Sequence, residues 1–118
     1  DDDPYESLMA LACHSIPADE MGRIAVSVWH AYLGHAGADS VIAQTIRAAT
    51  LGQQHALASL LARVRGHGEP NQQDAADAVA LASMGTGLTA GVRVGAVSSE
   101  DAVGLLQDRV RRLVAEAD

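Results

Sequence analysis

Five histidines, one cysteine and an opening run of Asp1, Asp2 and Asp3 are the residues of this 118-residue chain whose types could hold a metal or attack a substrate. Their spacing argues against both. His30 and His35 share a helical stretch, but side chains five apart diverge. A common metal needs i,i+4 ligands or a Glu-x-x-His pair, and no such pair occurs. His30 falls on a polar face, His67 in a glycine-rich loop, and His14 and His35 near helix ends, where an imidazolium favours the dipole. Cys13 alone can make neither an internal disulfide nor a thiolate zinc site, and reads as a small apolar filler. There is no phosphate-cradling glycine loop, no Gly-x-Ser-x-Gly elbow and no nucleophile with a base at helical spacing. The expectation is a protein that is not an enzyme and carries no metal and no cofactor.

A second set of residues suits the binding of a small molecule. Gln53 sits in the middle of an apolar stripe made by Ile46, Ala49, Leu57 and Leu60, and a buried amide needs partners. It either bonds an otherwise apolar ligand or ties two helices together. Thr86 could serve similarly, or bond back to its own helix. Trp29 and Tyr32 are amphipathic rings of the kind that line cavities, with Met9 and Met84 as adaptable walls. Plain core packing is the alternative for all four, because a chain with no Phe and only 3% aromatic residues needs large side chains to fill space.

The charge balance restricts the partners. A net charge of −7 leaves no basic surface to neutralise phosphates, so the chain itself is not expected to bind DNA. Its one dense basic run, Arg109, Arg111 and Arg112, is interleaved with Asp108, Glu116 and Asp118 and reads as a solvated helix face. No uninterrupted apolar run is long enough for a membrane span and no signal segment opens the chain, so a soluble, cytoplasmic protein is expected, with no membrane partner. Beginning at Asp1 and not at Met, the sequence reads as a piece of a longer protein.

These side chains must be placed by helices, for the punctuation and period predict five of them and no strand. They span about residues 3–14, 18–36, 40–65, 72–94 and 98–116 of a single domain covering 1–118. The first has Asp3 as cap and Pro4 at its first position. The second follows Pro17, carries Asp19 and Glu20 in its first turn, and ends at Gly37. Its stripe of Met21, Ile24, Ala25, Val28, Trp29, Tyr32 and Leu33 is broad enough to imply two neighbouring elements. The third is capped by Asp39, with Arg47, Gln54 and Arg65 pointing away from its core stripe. The fourth opens on Asn71 and Asp74 and is small or apolar all round, which predicts burial on every side. The fifth is capped by Ser98 and has one stripe through Ala102, Val103, Leu106, Val110, Leu113, Val114 and Ala117. The fold class expected is all-α, an orthogonal helical bundle.

The order of these five segments, and especially the stretch from Ala80 to Val114, resembles the C-terminal ligand-binding and dimerisation domain of the TetR/AcrR family of transcriptional regulators, over essentially the whole chain. The residues that carry the resemblance are Thr86-Gly87-Leu88, a turn through Gly95 and Ala96, Ser98-Ser99-Glu100-Asp101-Ala102 opening the last helix, and Arg109-Val110-Arg111-Arg112-Leu113 near its end. Many members have Asp where this chain has Thr86, and Pro where it has Ser99. The resemblance implies a ligand-responsive transcriptional repressor. Its helix-turn-helix head would lie upstream of this chain, so operator DNA would be met only through that head. It also implies a homodimer whose last two helices form a four-helix interface with the symmetry mate. Ala80, Leu88, Val103, Leu106, Val110, Leu113 and Val114 are the interface candidates. The small effector, expected to be neutral or lipophilic, would sit near Met9, Trp29, Tyr32, Gln53, Met84 and Thr86. Independent of the family, the last helix's stripe must be covered either by a second copy or by its own bundle. The alternative function is a helical homodimeric interaction or scaffold module with no small-molecule ligand.

Overall fold

The computed structural model describes residues 3–17, 20–35 and 39–116, and these form five helices: α1 Pro4–Cys13, α2 Glu20–His35, α3 Ser40–Val64, α4 Gln72–Arg93 and α5 Ser99–Glu116. The expected Gly37 stop and the Asp19 position lie outside the described residues. Local chemistry sets the helix starts. Asp3 accepts from the amides of Tyr5 and Glu6, with Pro4 at the first position, and Asp39 accepts from those of Val41 and Ile42. Asn71 and Asp74 form a reciprocal capping box at α4. Ser98 Oγ accepts from the Asp101 amide at 3.0 Å at the start of α5.

The bundle is all-α. α3 and α5 each pack on both α1 and α4, while α2 packs against α3. The core is built from Leu8, Ala12 and Ile16, then Leu57, Ala58 and Leu61, then Ala78, Leu81 and Ala82, closed by Ala102, Leu106, Val110 and Leu113. Leucines meet alanines across it, so helix axes approach closely. The buried residues of α3 all fall in its second half. At 25 residues and 1.5 Å per residue α3 spans nearly 40 Å, close to the 42 Å longest dimension of the chain, and its first half extends beyond the core.

Three expectations change. α4 is not buried on every side: Asp74, Ala78, Leu81, Ala82, Gly85 and Thr89 are buried, whereas Ala76, Val79, Ala80, Ser83, Thr86, Gly87 and Ala90 face outward. Small residues suit contact with a neighbour and exposure equally well, so composition did not separate the two. The broad stripe of α2 is not covered by its neighbours. None of its described side chains is buried, and Met21 is 74% exposed. Arg65, expected to point away, is folded into the protein. α4 is also long and apolar enough, by length and composition, to cross a membrane. Its contacts with α1, α3 and α5 and the ion-paired carboxylates in its first turns make it a helix of the bundle.

Candidate functional site

Where α3 ends and α4 begins, a buried polar cluster joins three helices. Arg65, the C-cap of α3, has a side chain only 6% exposed and donates from Nη1 to Asp74 Oδ1 at 2.7 Å. Its Nη2 donates to Asp77 Oδ2 at 2.7 Å and to the Leu113 carbonyl of α5 at 2.9 Å. The other oxygen of Asp74 accepts from the Asn71 amide at 2.9 Å and meets His67 Nε2. Burial by itself would raise the Asp74 carboxyl, but the Asn71 amide, the Arg65 guanidinium and His67 together hold it below the ordinary carboxylate value. Burial would lower Arg65, yet its bonds to the two carboxylates raise it. The cluster holds fixed charges in place, and Arg65 Nε remains buried without a hydrogen-bond partner. Among the described residues no group of three or more His, Cys, Asp or Glu is arranged to hold a metal.

The second feature is the outward side of α4 and α5. From Ala76 to Ala90 the exposed face of α4 carries no charge, and Val79 is about half exposed. On α5, Leu105 is 49% exposed. It borders an open-sided groove of about 960 Å³ lined by Ile16, Pro17, Val97, Val103 and Gly104, with Glu100 and Asp101 among its polar residues. The groove has a fixed geometry at one end, where Ser99 Oγ donates to the Pro17 carbonyl at 2.7 Å. The third feature is α2, where Ile24, Val28, Trp29, Tyr32 and Leu33 are exposed along one helix.

The residues singled out for a ligand are dispersed among these features, and none of the six lines the groove. Met9 and Met84 pack against the core as half-buried side chains, and Gln53 is half-buried on α3. Trp29 and Tyr32 stand exposed on α2. Thr86 is exposed and its hydroxyl donates to the Ala82 carbonyl at 3.1 Å, so the back-bonded reading holds. The interface candidates divide as well. Leu106, Val110 and Leu113 are completely or almost completely buried in the chain's own core. The stripe of α5 is thus covered from within, which removes the argument that these leucines need a second copy. Leu88, Val103 and Val114 are half-buried, and Ala80 is exposed. His30, on α2, lies with Nδ1 3.0 Å from Arg93 Nη1, the latter necessarily the donor. Cys13 is half-buried and burial pushes its thiol up, which makes it an inert filler.

Sequence reasoning missed Arg65 and Leu105. A basic residue nine positions before a capping-box Asp was the available signal for the first. For Leu105, its place outside the Leu106 stripe was the signal.

The chain matches the family model described as the C-terminal domain of BetI-type transcriptional repressors over residues 4–115, and it belongs to that family. Comparison with curated proteins and with solved structures gave no match.

Proposed function

We propose that the chain is the effector-binding and homodimerisation domain of a ligand-responsive transcriptional repressor, and that it acts on DNA through a head on the same polypeptide. The family match over residues 4–115 carries this reading. Physical features support it. The outward face of α4 is free of charge from Ala76 to Ala90 and small enough for a second helix to approach closely, as a self-complementary two-fold interface requires. Ala80, with Leu88, Val103 and Val114 at its margins, is the part of the expected interface that remains available, and Leu105 joins it. Among the described residues, Ile24, Val28, Trp29, Tyr32 and Leu33 are left exposed together on α2, and they suit a neutral or lipophilic effector. An effector that prefers one arrangement of α2 over another biases the distance between the two heads of a dimer, and so changes operator affinity.

Native mass spectrometry of the chain tests the dimer, and the emission of its single tryptophan, Trp29, tests the effector. The expected result is a dimer in which an apolar compound shifts Trp29 emission to the blue and raises Tm. A chain that stays monomeric at micromolar concentration sinks the dimer. A dimer whose Trp29 emission and Tm ignore a broad panel of neutral and lipophilic compounds sinks the effector and leaves the scaffold reading.

A further inference from the structure

We infer that the bond between His30 of α2 and Arg93 of α4 is a proton-sensitive latch. It holds α2 on the bundle while the imidazole is neutral and releases the helix when the imidazole takes up a proton. The latch is a property of the single chain and holds whether or not two copies pair.

The bond has one permitted direction. Arg93 Nη1 lies 3.0 Å from His30 Nδ1, and a guanidinium has no acceptor, so Nδ1 must offer a lone pair. Arg93 stands in the last turn of α4, where the helix dipole favours a cation, and it keeps its charge throughout. The dipole accounts for the arginine but not for an imidazole turned toward it. A proton on Nδ1 removes the acceptor and sets imidazolium against guanidinium.

The surroundings offer that second charge no counter-ion. From Met21 to Gly68 the sequence holds a single acid, Asp39, and its carboxylate caps α3. The charged or ionisable side chains of the neighbouring α3 are Arg47, His55 and Arg63. Those of α2 within two turns of His30 are Arg23, Tyr32 and His35, with no carboxylate among them. α4 has two acids, Asp74 and Asp77, but both are tied to Arg65 at its opposite end. His67 shows the contrast, for it meets the Asp74 carboxylate and a proton there adds an ion pair. Acid thus tightens one imidazole contact of this chain and breaks the other.

Burial adds little to hold α2 in place. None of its described side chains is buried, and Met21, Ile24 and Val28 are more than half exposed. A single hydrogen bond, equivalent to roughly a factor of five in an equilibrium constant, is therefore a large share of the docking balance.

The test follows amide exchange of α2 by mass spectrometry between about pH 8 and pH 5.5, the range in which histidines titrate, with rates corrected for the intrinsic effect of pH. Three forms of the 118-residue chain are compared, wild type, H30N and R93M. Asparagine places a carbonyl oxygen close to where Nδ1 stood and takes up no proton. In wild type the opening of α2 is expected to rise about fivefold on acidification while the amides of α5 stay protected. In H30N α2 is expected to stay protected at both ends of the range, and in R93M to be as open at both as acidified wild type. Protection of α5 shows that each variant folds. Acrylamide quenching of Trp29, the residue before His30, should follow the same pattern. A wild-type α2 that ignores pH overturns the latch, and so does a pH response that persists undiminished in H30N or R93M.

Discussion

The guanidinium of Arg65 spans the Asp74 and Asp77 carboxylates, 2.7 Å from each, with its last bond made to the backbone of α5 at Leu113. One side chain thereby fixes the end of α3, the first turn of α4 and the last turns of α5 in a single arrangement. A buried ion pair is not in itself stabilising relative to well-packed apolar residues, but removing one partner strands the other.

Arg65→Ala removes the guanidinium from buried Asp74, leaving it only the Asn71 amide and His67, and should cost about 3 to 5 kcal/mol of unfolding free energy. Asp77→Ala, which leaves the Asp74 pair intact, should cost distinctly less. Urea denaturation followed by circular dichroism separates the two, and equal losses would show that Asp74 is not the dominant partner.

Because the Asp74 carboxyl is held below its unfolded value, the folded chain binds fewer protons there than the unfolded chain does. Stability from this group is therefore complete above the ordinary carboxyl pKa of about 3.9 and is lost as the pH falls below it toward the depressed folded value. Asp74→Asn should lower Tm at neutral pH and flatten the acid limb of the Tm profile. An acid limb of unchanged steepness would assign it to other carboxylates.

Two glycines should respond to alanine with opposite signs. Gly52 lies within α3 with open space where a side chain would go, so Gly52→Ala should stabilise by about 1 kcal/mol through helix propensity. Gly95 has φ of +80° in the turn between α4 and α5, a left-handed conformation that alanine resists, so Gly95→Ala should destabilise by about 1 kcal/mol. Thermal melts of the two variants in one buffer decide the matter.

The helix starts were legible because capping is local: Asp3, Asp39, Asn71 and Ser98 bond amides two or three residues away, within reach of any reading of the sequence. Periodicity gave the apolar face of α5, and Leu106, Val110 and Leu113 do form its buried side. What covers a face is a tertiary fact, and there the residues were ambiguous. The stripe of α2 has the composition of a core helix, yet none of its described residues is buried, while the small residues of α4 suit both interior and surface. Arg65 was assigned to solvent by its charge and wheel position, because its partners become neighbours only once the glycine-rich loop reverses the chain. Ser99, where the family commonly has Pro, uses its hydroxyl to hold the Pro17 carbonyl, a contact across 82 positions of sequence.

The placement of α2 has a consequence for how the chain opens. No described side chain of this helix belongs to the buried core, so α2 can undock and return while Leu8, Leu57, Leu61 and Leu81 stay packed. It should therefore open as a unit at a free energy below that of the bundle, resisted by its contacts with α3 and the His30–Arg93 bond. Its amides should exchange with solvent first. The element carrying the chain's only tryptophan is thus the one a bound molecule could order at the smallest cost to the rest of the protein.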